Sequence, residues 1–132
     1  ALKKHPVVRI YGNNYKTKDG TCIRDFIHVS DLAGIHIKCI NYLYKKKKSI
    51  TLNCGYGIGY SVQEIVNIFK KIKKNCRVVY VKRRTGDVDQ VYSNIKKFKK
   101  TLKWKPKHND IKKILLSSIK WERKLKKNNV KS

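Results

Sequence analysis

Between Leu52 and Val66 the chain reads LNCGYGIGYSVQEIV, and no other stretch limits its fold so tightly. An apolar run stops at Gly55, Gly57 and Gly59, and Ser61 and Glu64 then form an S-x-x-E pattern. In that pattern each side chain satisfies the other residue's backbone N–H, which marks the first turn of a helix. Val62, Ile65, Val66, Phe69 and Ile72 follow at helical spacing. An extended segment, a tight turn and an amphipathic helix in succession make a β–α unit, the building block of α/β folds. Such turns also cradle dinucleotide phosphates, but the fingerprint for that is G-x-G-x-x-G, and here Tyr60 stands after G-x-G-x-G. The place about 20 residues on, where an acidic side chain would hold a ribose, is basic from Arg77 to Lys82. The residues leave two readings open, a cofactor loop or a turn whose glycines supply positive φ.

The remaining segments continue the alternation. Val7 to Tyr11 reads as a strand and Gly12-Asn13-Asn14 as a turn. Lys16 to Thr21 is a polar loop, and CIRDFIHV a short extended piece. Ser30 is placed to cap a helix over residues 31–46, with Asp31 at its positive end. Leu32, Ile35, Cys39, Ile40 and Leu43 would share its inner face. A strand is expected at Ser49–Cys54 and another at Arg77–Val81, then a short helix over 93–102 halted at Pro106. Asn109 or Asp110 caps a last helix with Ile111, Ile114, Leu115, Ser118, Ile119 and Leu125 inward, and only the final few residues should fray. Three or four strands with no evident pairing between neighbours predict an incomplete sheet.

At 132 residues there is room for one modest core. The chain starts at Ala1 and has no Met, so we expect a piece of a longer protein. No apolar run is long enough to span a bilayer and no signal-peptide pattern is present. Cys22, Cys39, Cys54 and Cys76 form no C-x-x-C pair and have no His at finger spacing, which favours thiols in a reducing compartment over a metal site. The net charge of +26 suggests polyanions. Yet it comes from 28 Lys and only 6 Arg, with the lysines in runs at 45–48, 70–74, 96–100 and 124–127. Scattered Lys is the pattern of a solvated surface, so no specific nucleic-acid partner is expected, only adhesion to polyanions at low salt. With Lys this frequent, the Y-x-x-x-K pairs at Tyr42/Lys46, Tyr44/Lys48 and Tyr92/Lys96 carry no weight as reductase motifs.

Arginine is scarce, so its neighbourhoods are informative. Arg24-Asp25 precedes an apolar run, and RRTGD at 83–87 follows a strand. Guanidinium groups grip diphosphate oxygens bidentately, and a carboxylate accepts hydrogen bonds from a ribose diol. Structural ion pairs are the competing account.

RIYGNNYKTKDGTCIRDFIHVSDLAGIHI resembles the G-N-x-Y-x-T-x-D-G-T-x-x-R-D-[YF]-I-H-V-x-D-L-A motif of the UDP-glucose 4-epimerase family. LNCGYGIGYSVQEIV, RRTGDVDQVYSN and LKWKP are similar to its later motifs, in the same order, so the likeness covers essentially the whole chain. It implies an α/β chain, residues 1–132 being the C-terminal part of an extended short-chain dehydrogenase (Rossmann-type) fold, mainly the UDP-sugar-binding lobe. The NAD-binding loop and the catalytic Ser/Thr and Tyr-x-x-x-Lys would lie upstream, so Gly55, Gly57 and Gly59 would be structural and the isolated chain inactive. The parent enzyme would interconvert UDP-glucose and UDP-galactose through a 4-keto intermediate with bound NAD, as a cytoplasmic homodimer. The resemblance implies Arg24 and Arg84 at the diphosphate, Asp87 at the ribose, Arg9 to Tyr11 on the uracil side, and Val91 facing the sugar's C2 substituent. Val in place of a bulky Tyr would admit UDP-N-acetylhexosamines. The alternatives are a related NAD-dependent nucleotide-sugar epimerase or dehydratase, and a basic polyanion-binding protein without catalysis.

Overall fold

A computed structural model describes residues 6–129. Strands β1 (Val7–Tyr11) and β2 (Ile23–Arg24) come first, followed by helix α1 (Val29–Lys46), strand β3 (Tyr60–Ser61) and helix α2 (Val62–Ile72). Strands β4 (Arg77–Val81) and β5 (Gln90–Val91) and helices α3 (Lys96–Leu102) and α4 (Ile111–Asn129) complete the order. β1 and β4 pair in parallel from Val7↔Arg77 to Tyr11↔Val81, and α2 in the crossover between them packs on β1. In the second sheet β2 is central, antiparallel to β3 and parallel to β5. The expected α/β character and small, incomplete sheets are both present.

Local sequence explains most boundaries. The Ser61–Glu64 box forms as read: Ser61 Oγ accepts from Glu64 N at 3.0 Å and Glu64 Oε2 from Ser61 N at 2.7 Å. α1 starts earlier than its periodicity suggests, because His28 rather than Ser30 is the cap, its Nδ1 accepting from Ser30 N at 3.1 Å. Asp110 caps α4, accepting from Lys112 N and Lys113 N. On α4 Ser117 rather than Ser118 turns inward, and Leu125 stays exposed. α3 starts at Lys96, not at 93. α1 and α3 both end on lysines in the left-handed region, Lys47 at φ 50° and Lys103 at φ 45°. The expected fraying of the last residues lies outside the described part.

Two expectations fail. Ser49–Cys54 is irregular, not a strand. No described strand lies beside it to form a ladder, and its carbonyls are met by side chains instead: Lys97 Nζ donates to Thr51 O at 3.0 Å and Ser93 Oγ to Cys54 O at 2.9 Å. Ile40 and Leu43 are exposed, together with Ile37 and Tyr44, so the inner face of α1 is Asp31, Ile35, Cys39 and Tyr42.

The core gathers Ile35, Tyr56, Phe98, Leu102 and Trp104, with Ile27, Leu52, Ile95 and Ile114 against it. Trp104 stacks near Tyr56 and tilts against Phe98, so the W-x-P segment supplies the centre of the core as well as a helix stop. Inside this apolar shell sits Asp31, 3% exposed. Its carboxylate accepts from Tyr56 Oη at 2.7 Å, His108 N at 2.9 Å and Lys107 N at 3.1 Å. Burial alone would raise its pKa, but the bonds from Tyr56 and the two amides outweigh that and hold it below the ordinary carboxylate range. The same burial, reinforced by Asp31, pushes the Tyr56 phenol up to about 12.

Asp31→Ala should therefore lower unfolding free energy by about 3 kcal/mol at neutral pH, because three donors lose their acceptor inside the core. Urea denaturation measures it. A carboxyl held low in the folded state stabilises above its unfolded pKa of about 3.9 and loses that contribution as pH falls through the folded value. The advantage of the native chain over Asp31→Asn should accordingly shrink below about pH 4.

Candidate functional site

The glycine turn can be judged first. Asp25, from the short β2 segment, projects its carboxylate into the turn. Oδ1 accepts from Tyr56 N at 3.1 Å, and Oδ2 from Gly57 N at 2.9 Å and Ser93 N at 3.3 Å. The amides that could cradle a phosphate already hold an internal anion. Gly57 alone of the three glycines has positive φ, at 71°, while a Cβ on Gly55 would collide with the Asp25 carboxylate and Ser93 Oγ. The expectation of a structural turn holds, but close approach is as much the reason as dihedral freedom. These residues do not fit a dinucleotide.

A different set of chemistry-bearing residues converges at the end of the β1–β4 pair. Arg9, Tyr11, Arg84 and Asp87 line one small cleft with Ile10, Thr21, Cys22 and Val62. β1 brings Arg9 and Tyr11 there, and the RRTGD turn after β4 brings Arg84 and Asp87. The register Tyr11↔Val81 sets the two segments side by side. The Arg84 guanidinium lies 3.8 Å from the centroid of the Tyr11 ring, a cation–π stack that holds the charge over the cleft. Arg84 is exposed, and among the described residues it has no carboxylate partner. Its donors therefore remain available to a ligand.

Asp87 is held from two sides. Tyr15 Oη donates to its Oδ2 at 3.2 Å, and Arg24 Nη2 stands 3.8 Å from Oδ1. Burial, then the nearby Asp87 charge, raises the Tyr15 phenol above its ordinary value, so it remains a donor. Arg24 also donates to the Ile23 carbonyl at 2.8 Å. The Arg24–Asp87 pair is long and half exposed, so it orients two groups more than it stabilises the fold. The competing account of structural ion pairs fits Arg83 better. That residue bonds Asp87 O at 2.6 Å and Asp89 Oδ1 at 3.1 Å, and stacks 4.0 Å from the Tyr15 ring centroid. Arg83 thus shapes the loop that presents Arg84.

Val91 lies outside the cleft lining. It sits on β5 opposite Arg24 in the β2–β5 register and is 53% exposed. The neighbouring Tyr92 ring packs toward Gly59, where an added Cβ would stand 3.1 Å from it. Sequence reasoning missed Tyr15, Thr21, Cys22 and Val62, and left Arg83 between ligand binding and a structural ion pair. For Thr21, Cys22 and Val62 no local pattern signals a site, whereas Tyr15 reaches Asp87 only through the fold.

No protein-family model matches the chain. It is 39% identical over 94% of its length to the UDP-glucose 4-epimerase of Azospirillum brasilense, of which it covers 36%. The UDP-glucose 4-epimerase of Stenotrophomonas maltophila, solved with NAD and formylated UDP-arabinopyranose, superposes with a TM-score of 0.85 at 34% identity. That match covers 92% of this chain and 36% of the other. The UDP-Glc/GlcNAc 4-epimerase of Campylobacter jejuni gives a TM-score of 0.78 at 39% identity, over 91% of this chain and 36% of that one. The chain thus spans a little over a third of the relatives it matches, among them an enzyme solved with NAD and a UDP-sugar. The motif order, the α/β fold and these likenesses all relate the chain to UDP-glucose 4-epimerases, over a little more than a third of their length.

Proposed function

We propose that residues 1–132 are the UDP-sugar-binding lobe of an epimerase that interconverts UDP-glucose and UDP-galactose. The observation that carries this reading is the convergence of Arg9, Tyr11, Arg84 and Asp87 on one cleft, with Arg24 reaching Asp87 from β2. Arg84, stacked on Tyr11 and free of carboxylates among the described residues, clamps the diphosphate together with Arg24. Asp87, beside Arg24, accepts from the ribose hydroxyls. Arg9 to Tyr11 lines the uracil side. Holding UDP at one end while the sugar turns is catalysis by positioning.

NAD belongs, in this reading, to the part of the relatives that the chain does not span, since the glycine turn at Gly55–Gly59 is filled by Asp25. The isolated chain is expected to be inactive, and the complete protein to be a cytoplasmic homodimer. Four free thiols agree with a reducing compartment, and among the described residues no helix is long and apolar enough to cross a membrane. The homodimer rests on family resemblance alone.

In the full-length enzyme, Arg84→Ala and Arg24→Ala should each weaken UDP binding by about ten- to hundredfold, the effect of removing a charge-assisted hydrogen bond. Calorimetric titration with UDP reads this. Ala at Lys45 and Lys46 should leave the affinity unchanged; an equal loss there would mean that bulk charge, not the cleft, binds UDP.

The substrate range extends to N-acetylated sugars. Supporting this are the exposed, small Val91 and a Tyr92 ring engaged toward Gly59 instead of filling the space. A relative at 39% identity is itself a UDP-Glc/GlcNAc 4-epimerase. Val91→Tyr should depress kcat/KM for UDP-N-acetylglucosamine selectively, and an equal change for UDP-glucose would reject the assignment.

A further inference from the structure

Helix α4 carries seven cationic residues, and their placement is not random. At about 100° per residue, Lys112, Lys113, Lys120, Arg123, Lys124 and Lys127 fall within an arc of about 120°, leaving only Lys126 outside. All six are exposed. The stripe runs about 22 Å along the axis at 1.5 Å per residue. Glu122 points away from it, and among the described residues no ion pair neutralises any member. At its edge stands Trp121, 56% exposed, with Lys124 Nζ 5.7 Å above its ring. Ser117, Lys120, Trp121, Arg123, Lys124 and Lys127 line one shallow groove.

From this juxtaposition we infer that α4 is a binding surface for single-stranded nucleic acid, gripping the phosphate backbone along the cationic stripe and stacking a base on Trp121. Cationic tracks with an exposed aromatic face bind single strands without reading sequence. That agrees with the absence, among the described residues, of any Arg-rich element that would read base edges. An anionic lipid surface shares the charge complementarity but needs an apolar face to bury beneath the headgroups. Most apolar residues of α4 are engaged: Ile111 is buried, Ile114 lies against the core, Leu115 and Ile119 are half-buried, and the helix packs on α2; besides Trp121 only Leu116, within the arc, and Leu125, on the opposite side, stay exposed, and they form no continuous apolar face. This surface is independent of the UDP cleft.

The test is titration of the chain with an oligouridylate about 12 nucleotides long, within the span of one such platform. Trp104 is buried, so quenching reports Trp121. We expect saturable quenching, and roughly tenfold or greater weakening in Trp121→Leu, followed by anisotropy of a labelled strand. In the triple variant Lys120→Gln/Arg123→Gln/Lys124→Gln the slope of log affinity against log salt should fall by about 2, at roughly 0.7 for each phosphate no longer neutralised. Gln substitutions throughout the Lys45–Lys48 run serve as the control and should change neither readout. All these side chains are exposed, and an unchanged far-UV spectrum verifies folding. Equal loss in the control, no quenching, or a Trp121 emission shift with phosphatidylserine vesicles but not with the oligonucleotide would each overturn the inference.

Discussion

Tyr56 joins two carboxylates, and most of the molecule hangs on that junction. Its amide donates to Asp25 and its phenol to Asp31, while the phenol oxygen accepts from His28 N at 3.2 Å. Asp25 then reaches Ser93 and Asp31 reaches Lys107 and His108. Segments nearly 80 residues apart are thereby tied to one aromatic side chain that itself stacks near Trp104 in the core. Two buried or half-buried anions are tolerated because backbone N–H groups and a phenol, not counter-ions, satisfy them. In a chain with few acidic residues, these aspartates serve as internal acceptors.

A second carboxylate network does similar work on the other side. Asp19 accepts from Thr21 N and Thr21 Oγ1 and from the Ser61 hydroxyl, while Thr21 Oγ1 accepts from Gln63 N at 3.0 Å. Burial would raise the Asp19 pKa, and the bonds from Ser61 and Thr21 bring it below the usual range. This ties the loop before β2 to the N-terminus of α2. It also fixes Thr21 and Cys22 where they line the cleft beside Arg9 and Asp87.

The fold was legible where the cause is local. The capping box of α2 and the end of α3 ahead of Pro106 depend on neighbouring residues, and each appears, while the strands at Val7–Tyr11 and Arg77–Val81 also find each other as partners. Legibility failed where the cause is distant. Ser49–Cys54 has the composition of a strand, but a strand needs a partner, and none of the described residues supplies one. Ile40 and Leu43 obey helical spacing yet face outward, since periodicity locates an apolar face without saying what covers it. Arg84 and Asp87 stood out because arginine is rare. No pattern could have shown that Arg83 would support the loop while Arg84 stayed available, since only the folded turn separates their roles.

The ends of α1 and α3 carry a further consequence. Lys47 and Lys103 occupy the left-handed backbone region that glycine adopts without strain, and each uses its N–H to close the final turn. A side chain there costs on the order of 1 kcal/mol. With 28 lysines and 7 glycines, the chain has let composition override local preference at two helix ends. Its stability therefore has headroom: glycine at either position would relieve strain without touching the core, the junction at Tyr56 or the cleft. Lysine enrichment in this chain extends to exposed positions where the backbone itself selects the residue.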